Sequence, residues 1–213
     1  MVWTKANTSN KGLFFYRRSS SYKQSRKEFY EGRNLLSNSR SFGQVFANHR
    51  LESQQSAKEI KFYGLAFGSS SRACRKRLGK PNYVDSRSPV IKGLKTYFYR
   101  LHIKGVKCIL QIHFFQDAFF FGQMEIREGN TEVKKEISKL LCQKYEIESD
   151  VWHGAIVDSM ANQLLIKEDI VPSISYITGE TEILLKIKHA LLQKVKQKNI
   201  NFNQKLEWLL DVV

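Results

Sequence analysis

Cysteine is scarce. Cys74, Cys108 and Cys142 are the three thiols of a 213-residue chain and lie too far apart for a CxxC metal or redox motif. An odd count at unrelated positions points to a reducing compartment and buried thiols rather than a disulfide framework or a metal site. No run approaches the roughly 18 apolar residues that a membrane-spanning helix needs, so a soluble, cytoplasmic chain without a membrane span is expected. The patterns that carry chemistry are missing as well. There is no Gly-rich phosphate loop, no histidine spacing that suits zinc, and no carboxylate pair in a setting that would shift a pKa usefully. One nucleophile–base pair can be drawn, Cys108 with His102, but strand alternation places the two side chains on opposite faces. Neither catalysis nor a cofactor is expected.

Acidic residues are lacking from one half of the chain. Lys and Arg total 35 against 20 Asp and Glu, a formal charge of +15. Residues 1–60 hold 11 basic and 4 acidic side chains, residues 61–110 hold 12 and 1, and residues 111–213 hold 12 and 15. The excess therefore lies wholly in the first half, which favours an anionic partner: nucleic acid, an acidic protein surface or a lipid headgroup layer. Before Glu28 there is no acid, while Lys5, Lys11, Arg17, Arg18, Lys23, Arg26 and Lys27 are interleaved with serines. That composition suits a flexible basic arm over residues 1–56, or an organellar transit peptide; it has no apolar core for a secretory signal.

The centre of the chain reads as three consecutive strands, Leu94 to Arg127. Two apolar runs, Tyr97 to Ile103 and Val106 to Phe115, flank Lys104-Gly105, whose glycine supplies the positive φ of a two-residue hairpin turn. This register pairs Ile103 with Val106 and Leu101 with Cys108. A break at Gln116-Asp117 leads into Ala118 to Arg127. Strict alternation assigns Tyr97, Tyr99, Cys108, Leu110, Ile112, Phe114, Phe120, Met124 and Ile126 to an apolar core face. It assigns Phe98, Arg100, His102, Lys107, Phe115, Phe119, Phe121 and Arg127 to the other. Aromatics mixed with cations can stack bases and neutralise phosphates; a large apolar patch can equally be covered by the arm, a second copy or a client protein.

Upstream, Gly68-Ser69-Ser70-Ser71 opens a helix from Ser71 to Leu78, which Gly79 and Pro81 stop. Arg72, Arg75, Lys76, Arg77 and Lys80 crowd it. They complement the helix dipole at its C-terminus or form an anion-binding patch. The segment from Gly68 and Ser69 through Leu78, Gly79 and Pro81 resembles small outer-membrane assembly lipoproteins of the SmpA type, and the resemblance implies a helix followed by strands. Downstream, Asn130 and Thr131 can cap a helix to about Tyr145. Asn162 to Ile166 and Val171 to Ile177 look like a second hairpin. Thr178 caps a helix from Glu180 to about Lys198, and Leu206, Leu209, Leu210 and Val213 suit a short terminal helix that docks or oligomerises.

The expected architecture is an α+β domain over residues 57–199, an antiparallel sheet in the order α-βββ-α-ββ-α, with the basic arm before it and a tail at 200–213. That order resembles the class I type III secretion chaperones, from which this chain differs in being basic. The resemblance implies a non-catalytic, dimerising module that holds an extended segment of a protein partner. The residues alone support a protein-binding or assembly module, with nucleic-acid binding through the arm and the aromatic and basic sheet face as the alternative.

Overall fold

The computed structural model describes residues 24–38, 53–86, 91–103, 105–127, 131–148, 154–167 and 172–212. In chain order the elements are α1 (Arg26–Glu31), β1 (Ser53–Gln55), α2 (Ser71–Leu78), β2 (Tyr83–Asp85), β3 (Leu94–Ile103), β4 (Val106–Phe115), β5 (Ala118–Ile126), α3 (Thr131–Tyr145), β6 (Ala155–Val157), β7 (Gln163–Lys167), β8 (Ser173–Ile177) and α4 (Thr181–Val212). The strands form one eight-stranded sheet in the order β1-β6-β7-β8-β5-β4-β3-β2. Among the described residues β1 pairs with β6 in parallel, and the other neighbouring strands run antiparallel. The fold is thus α+β, as the sequence suggests.

The central meander follows from local signals. Gly105 has φ 85° in the β3–β4 turn, and the register pairs Ile103 with Val106 and Leu101 with Cys108, as the alternation predicts. Gln116 and Asp117 turn the chain with φ of 50° and 68°, left-handed values that match the twist of a tight hairpin. The Ser70 side chain accepts from Ala73 N, and Gly79 ends α2 with φ 79°. The turn formed by Tyr63 and Gly64, at φ of 53° and 72°, folds Phe62 back onto Leu65 through reciprocal backbone bonds of 3.0 and 2.9 Å.

Both sheet faces are covered. On the first, Tyr97, Tyr99, Cys108, Leu110, Ile112, Phe114 and Ile126 pack with Ile60 and Phe62, with Cys74 of α2, and with Leu141, Cys142 and Tyr145 of α3. On the second, Leu36 and the α4 residues Ile183 and Ile187 pack with Leu94, Phe115 and Phe121, while Tyr30 of α1 packs on Phe98 and Ile109. Burying an aromatic side chain in such a layer is worth roughly 1.5–3 kcal/mol.

Four expectations change. The register shifts between His113 and Phe114, so that Phe114 pairs with Phe119 but His113 with Phe121. This β-bulge places one extra residue on β5 and reverses the alternation there. Phe119 therefore joins the first-face core and Phe120 the second, opposite to strict alternation. Two pieces of the segment read as an arm belong to the fold: residues 24–38 lie on the second face, and Ser53–Gln55 pairs with β6. The order α-βββ-α-ββ-α is present, but α1, β1, β2 and β6 add to it. The expected tail is part of α4, which runs unbroken to Val212. The basic stretch from Lys5 to Lys23, on which the arm and transit-peptide expectations rest, lies outside the described residues.

Candidate nucleic-acid interface

The second sheet face sorts its side chains by position along the strands. Phe98 and Phe121 are fully buried and Phe115 is 4% exposed, so none of the three offers a ring to a base or to a client. Phe119 is buried on the other side of the sheet, against Phe67 at 4.9 Å and 8° between ring planes. The aromatic half of the expected binding face is thus interior. Arg100, His102, Lys107 and Arg127 remain exposed, because they sit where β3, β4 and β5 run out beyond their helical cover.

Register brings these basic side chains together. Arg100 pairs with Ile109 and Ile109 with Glu125. One step along the same face His102 pairs with Lys107, whose carbonyl accepts a 2.9 Å bond from Arg127 N. The two rows hold four basic side chains, one buried isoleucine and one acid. Neighbouring strands lie about 4.8 Å apart and same-face residues about 6.8 Å apart along a strand, so the charges occupy one corner of the sheet.

Two further residues, invisible to strand alternation, complete the corner. Ser25 and Glu28 form a capping box at the start of α1, and Tyr30 stacks on Tyr83 at 5.2 Å and 3°. That anchor sets the roll of α1 and leaves Phe29 half-buried above the cations. The guanidinium carbons of Arg33, Arg100 and Arg127 lie 3.9, 4.4 and 5.7 Å from the centre of its ring. Arg33 also reaches Glu125 at 3.8 Å. The sequence carries one sign of this arrangement, the i,i+4 spacing of Phe29 and Arg33.

The α2 cations form a second patch. Arg72, Arg75, Lys76, Arg77 and Lys80 are all exposed. Arg77 is tied by its Nε to the Tyr63 carbonyl, which leaves the others to solvent at the helix surface. The α2 N-terminus is already served: Asp117 accepts from Ser71, and that hydrogen bond, helped by Lys95, holds its carboxyl below the usual range. The two patches meet at the β2 edge. Asn82 accepts from Arg26 through its carbonyl and from Arg100 N through its side chain at 2.6 Å, and Tyr99 donates to the Gly79 carbonyl at 3.1 Å.

The titratable interior shows what burial alone does. Cys108 is 4% exposed on the first face while His102 is exposed on the second, and burial pushes the thiol pKa up; the two cannot act as nucleophile and base. Burial likewise raises Cys74, against the partial help of Tyr99. Fully buried His113 holds Thr96 Oγ1 at 2.9 Å from its Nδ1. Among the described residues no cluster of His, Cys, Asp and Glu suits a metal ion, and no helix is long and apolar enough to cross a membrane. Comparison with family models, with curated proteins and with solved structures finds no match.

Proposed function

We propose that this chain is a non-catalytic binding module whose partner is a nucleic acid, held through its phosphates. One observation carries the reading: the aromatic members of the second sheet face are interior while its basic members stay at the surface, continuous around the β2 edge with the basic helix α2. Charge supports it, since residues 61–110 hold 12 basic side chains and a single acid. That acid, Asp85, accepts a 2.8 Å bond from Asn34. With Phe98, Phe115, Phe119 and Phe121 removed from contact, bases have no platform on the sheet, so binding reads the backbone and is indifferent to sequence. The test is fluorescence anisotropy with labelled single-stranded RNA and duplex DNA across salt concentrations. Expected are micromolar or tighter binding, a steep fall with salt, and a shallower salt slope after Arg100→Glu and Lys107→Glu. Absence of binding even at low salt ends the reading.

A second reading, a protein-binding or dimerising module, is favoured by a different observation. Leu185 and Leu192 of α4 are 48% and 50% exposed. Seven residues apart, they share a helix face away from Ile183 and Ile187, which point into the core. The occupant this reading implies is a second copy of the chain, and its measure is the oligomeric state in solution.

A further inference from the structure

We infer that Phe29 is a positioning residue for a phosphate-binding site formed by Arg33, Arg100 and Arg127, an inference that rests on the nucleic-acid reading above. The sequence supplies these residues from three distant places, and the fold gathers them over one ring at 3.9, 4.4 and 5.7 Å. Proteins ordinarily hold an arginine in place with a carboxylate. Here a carboxylate reaches only Arg33, through Glu125 at 3.8 Å; among the described residues neither Arg100 nor Arg127 is paired with an acid.

The difference matters chemically. A carboxylate consumes the N–H fork of a guanidinium and cancels its charge. A phenyl ring attracts the cation through its negative face, and the N–H groups in the guanidinium plane stay available for an acceptor. Phe29 therefore fixes Arg100 and Arg127 without spending the groups that would bind a ligand, whereas Arg33 already donates its Nη1 to the Phe29 carbonyl at 3.2 Å and faces Glu125. Three like charges drawn to one ring also repel one another, and an anion among them returns that Coulombic cost.

The ligand class follows from the surroundings. Planar forks match both carboxylate and phosphate, but Lys107 extends the charge along the strand rows, and Arg26 carries it to the β2 edge. A chain of regularly repeated anions satisfies such an array better than a single isolated one. The phosphodiester backbone of a nucleic-acid strand has that form.

The experiment uses the full chain, a labelled homopolymeric single-stranded oligonucleotide as probe, and polyglutamate as competitor. Phe29→Leu is expected to weaken binding several-fold while the salt slope stays that of the parent, because every charge remains. Phe29→Trp should restore the affinity. Arg100→Gln with Arg127→Gln should lower the slope by about 1.4, roughly 0.7 for each phosphate of a single strand that is no longer neutralised. Thermal melts of each variant report folding, and the arginine pair tests the site independently of any change in α1. Parent-like affinity in Phe29→Leu, or an unchanged slope in the arginine pair, overturns the inference. If the parent binds but only Arg75→Gln with Lys76→Gln weakens it, the α2 patch is the contact: the inference falls and the proposed function stands. A parent that binds no oligonucleotide removes both, and polyglutamate competing on equal terms with the oligonucleotide replaces phosphate by acidic peptide.

Discussion

Lowering the pH below neutrality should loosen this fold through His113 well before its carboxylates take up protons. The imidazole is fully buried in β4, with Thr96 Oγ1 2.9 Å from Nδ1, the Phe121 ring at 5.1 Å, and no hydrogen-bond partner for Nε2 among the described residues. With the proton on Nδ1, donated to Thr96, the orphaned group is a lone pair, which burial tolerates better than an N–H. A second proton would create a buried cation, so burial lowers the pKa from 6.5 to about 3. Between those two values the unfolded chain binds more protons than the folded one. The stability His113 contributes is therefore complete above the unfolded value and is lost progressively as pH falls toward the folded value. Each pH unit in that window removes about 1.4 kcal/mol, so a descent to about pH 5 costs roughly 2 kcal/mol. Asp117, held below the usual carboxylate range by Ser71, loses its contribution only as the pH falls below about 4, so of the two groups His113 alone titrates between about pH 6.5 and 5. Urea unfolding followed by circular dichroism at several pH values measures the slope. His113→Phe should flatten it between about pH 6.5 and 5 while lowering stability at neutrality by about 1 kcal/mol, the loss of the Thr96 bond. Identical slopes in parent and variant would refute the assignment.

Gly122→Ala tests the close packing of β5 against the Tyr63–Gly64 turn. An added Cβ would lie 2.9 Å from Cγ and Cδ1 of Phe62 and 3.2 Å from Cζ of Phe119, an overpacking cost of about 1–3 kcal/mol against a gain of about 0.5–1 kcal/mol for replacing glycine in a strand. The melting temperature should fall by several degrees, at roughly 2–4 °C per kcal/mol; an unchanged or higher value would contradict the contact. For the dimer reading, Leu185→Ser with Leu192→Ser should convert a dimer to a monomer in sedimentation velocity without altering the melt, and a parent that is already monomeric at micromolar concentration would end it.

What was legible in the sequence is what local physics writes there. The β3–β4 register followed from alternation and Gly105, α2 from its serine cap and Gly79, and the β7–β8 hairpin from two short apolar runs. The bulge was not legible, because Phe119-Phe120-Phe121 offers three equal rings and no polar residue to mark which one is extra. Pairing across the sheet decides that, and local pattern does not contain it. The three-residue strands β1, β2 and β6 are too short to show a period. The cover over the second face was hidden for a related reason. Phe29-Tyr30 and Leu35-Leu36 are isolated doublets, and their meaning depends on where the chain crosses the sheet. At the candidate site, alternation places Arg100, His102, Lys107 and Arg127 on one face, whereas Phe29 and Arg33 reach them only through that crossing.

That crossing also explains why a buried aromatic face and an exposed basic corner occur together. An open sheet face carrying Phe98, Ile109, Phe115 and Phe121 would expose a contiguous apolar patch, which invites association. Residues 24–38 together with α4 prevent it, and the first of these is fastened at specific points. Gln111 Nε2 donates to the Arg33 carbonyl at 2.8 Å, Leu35 N donates to Gln111 Oε1 at 3.1 Å, and Asn34 donates to Asp85 at 2.8 Å. Gln111 is itself 1% exposed, so leaving its amide unpaired would be costly, and the crossing point is fixed by that requirement. With the Arg33 backbone so placed, its side chain and Phe29 lie above the strand ends that carry Arg100 and Arg127. The segment that takes Phe98 and Ile109 from solvent therefore also sets the position of Phe29 among the guanidinium groups. Because that placement is decided by partly buried hydrogen bonds and the Tyr30–Tyr83 stack, the corner is set by the fold itself, and a ligand of the proposed kind would not bear the entropy of ordering a free basic arm.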